Sequence, residues 1–181
     1  MRVIAGKFRG HRITPPSRID ARPTTDYARE GLFNVLNNRV YFQEIKVLDL
    51  FAGTGAVSYE FYSRGVEDIL SVDKAPLSYT FISKMVAKLE MKGLKPLRAD
   101  VFEFLKKHRE KYDIIFADPP YTLENIEEIH QLVMENNLLE PDGDFILEHS
   151  EHKDFSHLSG FTERRRYGNV NFSFFSPGDE K

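Results

Sequence analysis

Apolar residues follow two rhythms along this chain. From residue 46 onward, short apolar runs alternate with stretches in which apolar positions recur every three or four residues. Runs of the first kind suit strands and recurrences of the second suit helices. Residues 47–51 read as a strand, 53–55 as a turn, and a helix follows through residue 64. Residues 69–72 form a second strand that ends at Asp73, followed by a helix over about 77–91. Residues 95–99 make a weak third strand, which Pro96 assigns to an outer position because proline cannot donate to a ladder. Asp100 starts another helix, 112–117 is a strongly apolar fourth strand, and a helix covers about 123–136. Residues 145–148 are the fifth strand, and 161–167 with 169–175 form a terminal antiparallel pair about Gly168. Strands spaced by helices in this order predict an α/β three-layer sandwich on a mostly parallel sheet. The terminal pair is foreign to an ordinary dinucleotide-binding fold.

Ahead of residue 46 the pattern differs. Residues 2–5 and 11–14 read as two short strands joined by a basic, glycine-bearing turn over 6–10, and Pro15-Pro16 ends the second. Residues 17–23 are a polar linker. Thr24 or Thr25 can cap a helix that contains Glu30 and has Leu32, Phe33, Val35 and Leu36 on its apolar side. This piece is too small to fold alone and is expected to pack against the sandwich. The chain thus divides into a hairpin-and-helix extension over 1–44 and a larger domain over 45–181.

Composition narrows the chemistry. The absence of cysteine excludes a disulfide framework, a thiol nucleophile and thiolate-ligated metal. No signal-peptide run and no stretch of bilayer length is present in the sequence, so a cytoplasmic protein is expected, with a monomer as the default. The net charge of −3 hides a division. Residues 1–46 carry nine Lys/Arg against four Asp/Glu, whereas 100–154 carry five against fifteen. A polyanion responds to the local field of the first region, although solvated surface arginines would give the same count.

Ligands of such sheets bind at the carboxyl ends of the strands. There the chain reads Asp49-Leu50-Phe51-Ala52-Gly53-Thr54-Gly55, whose glycines let backbone approach a ligand and whose following helix directs amides at it. No Gly-Lys-Ser/Thr ending follows, so this is not a phosphate loop. Asp49 repels a pyrophosphate and suits the cationic amino group of a methionine-derived ligand. Asp73 is placed to bind a ribose diol and Asp100 an adenine amine; helix capping is the competing reading of both.

The sharpest segment is Asp118-Pro119-Pro120-Tyr121, directly after the fourth strand. Two prolines hold the chain extended and leave carbonyls to face a ligand. Asp118 adds an acceptor and Tyr121 a flat face, which together suit a planar base with an exocyclic amine. Hydrogen bonds from that amine to Asp118 and the Pro120 carbonyl would orient it for attack on a sulfonium methyl, with Asp118 the nearest proton acceptor. Strand termination alone explains the prolines but not their flanking residues.

These segments, together with Arg2-Val3-Ile4-Ala5-Gly6, Arg9-Gly10, and Arg22-Pro23-Thr24-Thr25-Asp26 with Arg29-Glu30 and Leu32-Phe33-Asn34, resemble the bacterial 16S ribosomal RNA guanine-N2 methyltransferases of the small single-domain kind. The resemblance covers nearly the whole length, and the last segment is its most discriminating part. It implies a class I methyltransferase fold with a seven-stranded sheet and an N-terminal hairpin extension. It also implies S-adenosylmethionine as methyl donor, no metal, and 16S RNA in an assembled or partly assembled small subunit as partner. The implied catalytic set is Asp118, Pro120 and Tyr121. The implied cofactor set is Asp49, Phe51, Gly53, Gly55, Asp73, Lys74, Asp100 and Val101. Lys7, Arg9, Arg12, Arg22, Thr24, Thr25 and Arg29 would meet RNA. The chain departs from the family pattern at Ala5, at Gly31 inside the first helix, and at Val72-Asp73-Lys74.

The Asp-Pro-Pro-Tyr segment by itself serves guanine N2, adenine N6 or a glutamine amide. A non-catalytic RNA-binding assembly factor and an NAD-dependent enzyme are the readings of other classes; the complete donor-and-acceptor set argues against the first, and Asp49 against the second. Glu148-His149-Ser150-Glu151-His152 lacks metal-site spacing and is expected in a loop. Arg164-Arg165-Arg166 reads as an exposed strand face or an RNA contact, and Phe172 to Phe175 as core.

Overall fold

Buried on both faces, the central strands are apolar at nearly every position, as a parallel sheet covered by helices requires. The computed structural model describes residues 1–19 and 24–178. Among these, the strands form one seven-stranded sheet in the order β3-β2-β1-β4-β5-β7-β6. The strands are β1 (Lys46–Leu50), β2 (Asp68–Asp73), β3 (Leu94–Arg98), β4 (Tyr112–Ala117), β5 (Leu139–Ser150), β6 (Phe161–Tyr167) and β7 (Val170–Phe175). The first five run parallel; β7 pairs antiparallel with β5, and β6 with β7. The class I methyltransferase sandwich expected from the sequence is therefore present, and β3, with Pro96, is an edge strand.

The helices are α1 (Asp26–Leu36), α2 (Ala56–Ser63), α3 (Pro76–Lys88), α4 (Val101–Lys107) and α5 (Ile126–Glu135). One apolar cluster joins Val47, Phe116, Ile146 and Phe172 of the sheet to Leu32 and Phe33 of α1, Val57 and Phe61 of α2, and Ile82 of α3. A second joins Leu48, Ile115, Phe145 and Leu147 to Val101 and Leu105 of α4 and Ile129 and Val133 of α5. Alternate residues of each strand thus feed opposite layers. Phe172, Phe174 and Phe175 are fully buried, as expected of core residues.

Two expectations need correction. The N-terminal hairpin is a single antiparallel bridge, Arg2 to Arg12, rather than two strands. The amides of Val3, Gly10 and Ile13 bond across the hairpin, but those of Ile4 and Ala5 donate to the buried carboxylate of Glu60 on α2, at 2.9 and 3.0 Å. Lys7 donates its amide to the Ser63 carbonyl and Phe8 donates to the Ser63 hydroxyl. The turn is held by a helix end, so no ladder extends. The second correction concerns His149 and Ser150. They are strand, not loop, because β7 continues the ladder as far as Ser150 opposite Val170.

Candidate active site

The order of strands reverses on either side of β1, whose neighbours are β2 and β4. Their carboxyl ends open a crevice, the place where ligands of such sheets bind. A cavity of about 760 Å³ lies there. Ligand pockets of small molecules span roughly 300–1,000 Å³. Its described wall includes Asp49, Phe51, Gly53, Asp73, Lys74, Asp100 and Val101 from the expected cofactor set. Asp118, Pro120 and Tyr121 line the same cavity, so both ends of the expected site share one space.

The β1–α2 turn is shaped by unusual backbone. Gly53 and Gly55 take φ of 56° and 82°, the left-handed region that glycine enters without steric cost. Phe51, a bulky residue, also has φ 58°. Such a conformation costs about 1–3 kcal/mol and persists where surrounding structure imposes it, often at functional sites. Gly55 does not line the cavity. A side chain there would meet the ring of Tyr59 at 2.7 Å, so this glycine lets the turn close onto α2.

Asp73 ties the turn to β2. One oxygen accepts the Gly53 amide at 2.8 Å and the other accepts the Ala75 amide at 2.8 Å. Asp100 is the N-cap of α4, accepting from the amides of Phe102 and Glu103. The capping reading of Asp100 thus holds, while both carboxylates line the cavity. Asp49 is buried at 1% exposure, and Ser58 donates to it at 2.5 Å. Burial pushes its pKa up to about 7; the Ser58 hydrogen bond opposes this and the Asp73 charge adds to it.

At the reaction end, β4 leads straight into Asp118, whose amide donates to the Leu50 carbonyl at 3.3 Å. The Pro120 carbonyl accepts the Leu123 amide at 2.9 Å, closing a turn. That bond takes one of the carbonyl oxygen's two lone pairs. Pro119 is buried, Pro120 exposed and Tyr121 partly buried.

The expected RNA contacts separate. Lys7, Arg9 and Arg12 are exposed on the hairpin and are not part of the cavity wall. Arg22 lies outside the described residues. Thr25 caps α1, accepting the Ala28 amide, and Thr24 is buried with its hydroxyl on Glu148 at 2.7 Å; both line the cavity. Arg29 is a correction. It is 1% exposed and gives hydrogen bonds to the Arg2 carbonyl and to Asp26, 3.8 Å from Glu60. It packs the hairpin onto α1 rather than facing outward.

The sequence reading missed Arg18, Leu77, Phe102 and Glu148, all in the cavity wall. Phe102 meets Phe51 edge-to-face, with ring centroids 6.4 Å apart. The signal for Phe102 was available, two residues beyond Asp100 on the helix that Asp100 begins. Glu148 gave no motif signal; only its strand register brings it here.

This sheet, with its donor-side turn and its Asp-Pro-Pro-Tyr end in one crevice, defines a class I S-adenosylmethionine-dependent methyltransferase. The chain belongs to the family described as "Conserved hypothetical protein 95", whose model matches residues 1–176. It is 33% identical over 139 residues to ribosomal RNA small subunit methyltransferase D of Buchnera aphidicola (subsp. Baizongia pistaciae), covering 77% of this chain and 70% of that protein. It is 31% identical over 175 residues to YlbH of Bacillus subtilis, covering 93% and 94%. The solved structure of a hypothetical protein from Thermus thermophilus superposes with a TM-score of 0.85 at 28% identity, covering 97% of this chain and 99% of that one. The protein is thus related to enzymes that modify ribosomal RNA.

Proposed function

We propose that this protein transfers a methyl group from S-adenosylmethionine to the exocyclic N2 amine of a guanine in small-subunit (16S) ribosomal RNA, in the cytoplasm. The observation that carries the reading is the single cavity lined at one end by Asp49, Gly53 and Asp73 and at the other by Asp118 and Tyr121. The name of the Buchnera relative supports ribosomal RNA as the substrate class.

The residues present fit the methyl donor. The described wall carries Asp49, Asp73, Asp100, Asp118 and Glu148 against Arg18 and Lys74. That balance suits a ligand bearing ammonium and sulfonium charges and opposes a diphosphate. The chemistry S-adenosylmethionine supplies is an electrophilic methyl on sulfur. Asp49 and the Gly53 turn would hold its amino-acid portion, Asp73 its ribose, and Asp100 with Val101 and Phe102 its adenine.

At the other end the chain's task is orientation. Tyr121 offers a ring on which a flipped base can stack. Asp118 and a proline carbonyl accept the two amine hydrogens and favour the positive charge that builds on nitrogen during attack. We assign the second acceptor to the Pro120 carbonyl, whose oxygen has a second lone pair beyond the one that accepts from Leu123. Asp118 takes the proton that nitrogen loses. Lys7, Arg9 and Arg12, exposed on the hairpin, attract the RNA backbone.

Asp118→Ala should reduce methyl transfer to small-subunit RNA by at least about 100-fold, the effect of losing one transition-state contact, with S-adenosylhomocysteine affinity nearly unchanged. Full activity in that variant would remove Asp118 from the chemistry.

A further inference from the structure

Two tyrosines outside the chemistry meet on the surface beside the cavity. Tyr27 stands two residues after the cap of α1 and is 66% exposed. Tyr167 ends β6, and the two rings meet edge-to-face with centroids 5.8 Å apart. Tyr167 is firmly mounted. It packs against the fully buried Phe172, centroids 5.9 Å apart, and its ring takes the space that a side chain at Gly31 would need. Covering Phe172 accounts for Tyr167; it does not account for an exposed ring set against it. A single exposed aromatic needs no explanation. Here, however, α1 carries glycine, a poorer helix former than alanine, where the second ring is seated beside the first.

The pair adjoins the cavity on two sides. Thr25, the cap of α1, and Val170, the ladder partner of Tyr167, both line its wall. The same helix holds the basic hairpin, because Arg29 donates to the Arg2 carbonyl and Arg2 bridges to Arg12. A strand whose phosphates meet the hairpin and whose target base enters the cavity would pass α1, where the rings stand. We propose that Tyr27 and Tyr167 form a stacking platform for an unpaired base of the substrate RNA, a neighbour of the nucleotide that enters the cavity. This rests on the RNA reading given under Proposed function and adds to it a site for a second nucleotide. Every base has a π-face, so such a platform tolerates sequence while it fixes where the strand lies. A tyrosine also gives up little side-chain freedom on binding. A stable protein interface needs roughly 800 Å² from each side, far more than two rings offer.

The test is binding of an oligoadenylate of about eight nucleotides, and of an abasic oligomer with the same phosphates, to the full-length protein with S-adenosylhomocysteine present. The wild type should prefer the oligoadenylate. Tyr27→Leu, apolar but without a ring, should lower that preference at least about fivefold, the lower end of what one stacked base contributes. Tyr27→Phe should keep it, and affinity for the abasic oligomer should be the same in all three proteins. Tyr27 is exposed, so Tyr27→Leu should fold, as unchanged S-adenosylhomocysteine affinity would report. On unmodified 16S RNA the same variant should raise KM for methyl transfer and leave kcat nearly unchanged, the mark of a contact made equally before and during the reaction. Equal preference in the wild type and Tyr27→Leu overturns the proposal, as does an equal loss in Tyr27→Phe. A Tyr27→Leu defect confined to assembled subunits, with free RNA unaffected, also overturns it and gives the pair to a protein of the subunit. If the wild type binds neither oligomer and transfers no methyl group to RNA, the RNA reading itself has failed; if it methylates RNA while Tyr27→Leu matches it in every assay, only the present proposal has.

Discussion

Asp49 sets burial against charge. Its carboxyl lies under the cofactor end of the cavity, hydrogen-bonded to Ser58, with a pKa pushed up to about 7 by burial. The unfolded chain releases this proton near pH 4. Between about pH 4 and 7 the folded state therefore holds a proton that the unfolded state has lost, and stability falls as pH rises. Asp49→Asn removes that loss. Its melting temperature should gain on the wild type as pH goes from 4 to 7, with an upper limit of about 4 kcal/mol for a shift of this size. Equal pH profiles would show that Asp49 titrates normally. A cationic amino group beside Asp49 favours the ionised form, so S-adenosylmethionine affinity should rise from pH 5.5 to 7 in the wild type and stay level in Asp49→Asn. Both Asp49 and Asp118 were legible in the sequence because each lies at or just past the carboxyl end of an apolar strand. Glu148 was not, since only the pairing of β5 with β4 and β7 shows where it points.

At the scale of elements, α2 does two jobs. Its first turn follows the Gly53–Gly55 loop, and its last turn presents Glu60 and Ser63 to the N-terminal hairpin. Glu60 also pairs with Arg64 at 3.0 Å, and both of its oxygens serve hairpin amides. Gly6 is where the hairpin touches this end: φ is 80°, and a side chain would lie 1.8 Å from the Ser63 carbonyl. Gly6→Ala should lower stability by about 1–3 kcal/mol through backbone strain and weaken RNA binding while sparing S-adenosylhomocysteine affinity. Unchanged RNA affinity would separate the hairpin from substrate binding.

Gly31 is legible in a different way. A glycine inside a helix costs about 1 kcal/mol relative to alanine, with no sequence reason for it here. The structure supplies one: the Tyr167 ring of β6 lies where the side chain would stand, 2.1 Å from the added carbon. In the Tyr167→Ala background, Gly31→Ala should stabilise by about 1 kcal/mol, and in the wild type by less or not at all. Equal effects in the two backgrounds would mean that the ring does not constrain this position.

Across the whole molecule, charge separates by region. The arginines of β6 each face a carboxylate, Arg164 with Asp154, Arg165 with Glu163 and Arg166 with Glu151. The exposed cations of the hairpin, Lys7, Arg9 and Arg12, are therefore the better match for a phosphate backbone. Neutralising these three should reduce the slope of log affinity against log salt by about 2 for single-stranded RNA, leaving cofactor binding intact. The fold was legible almost throughout, because buried parallel strands leave apolar runs that few other structures produce. The extension was less so: its amides bind a distant helix, and Arg29, read as surface, fills the space between hairpin and α1.

The central claim is methyl transfer to guanine N2. Labelled S-adenosylmethionine would be incubated with the protein and unmodified 16S RNA, both free and in assembled small subunits, and the product nucleoside identified by mass. N2-methylguanosine from the wild type, and none from Asp118→Ala, is the expected result. N6-methyladenosine, or no transfer to either RNA despite measurable cofactor binding, would contradict it.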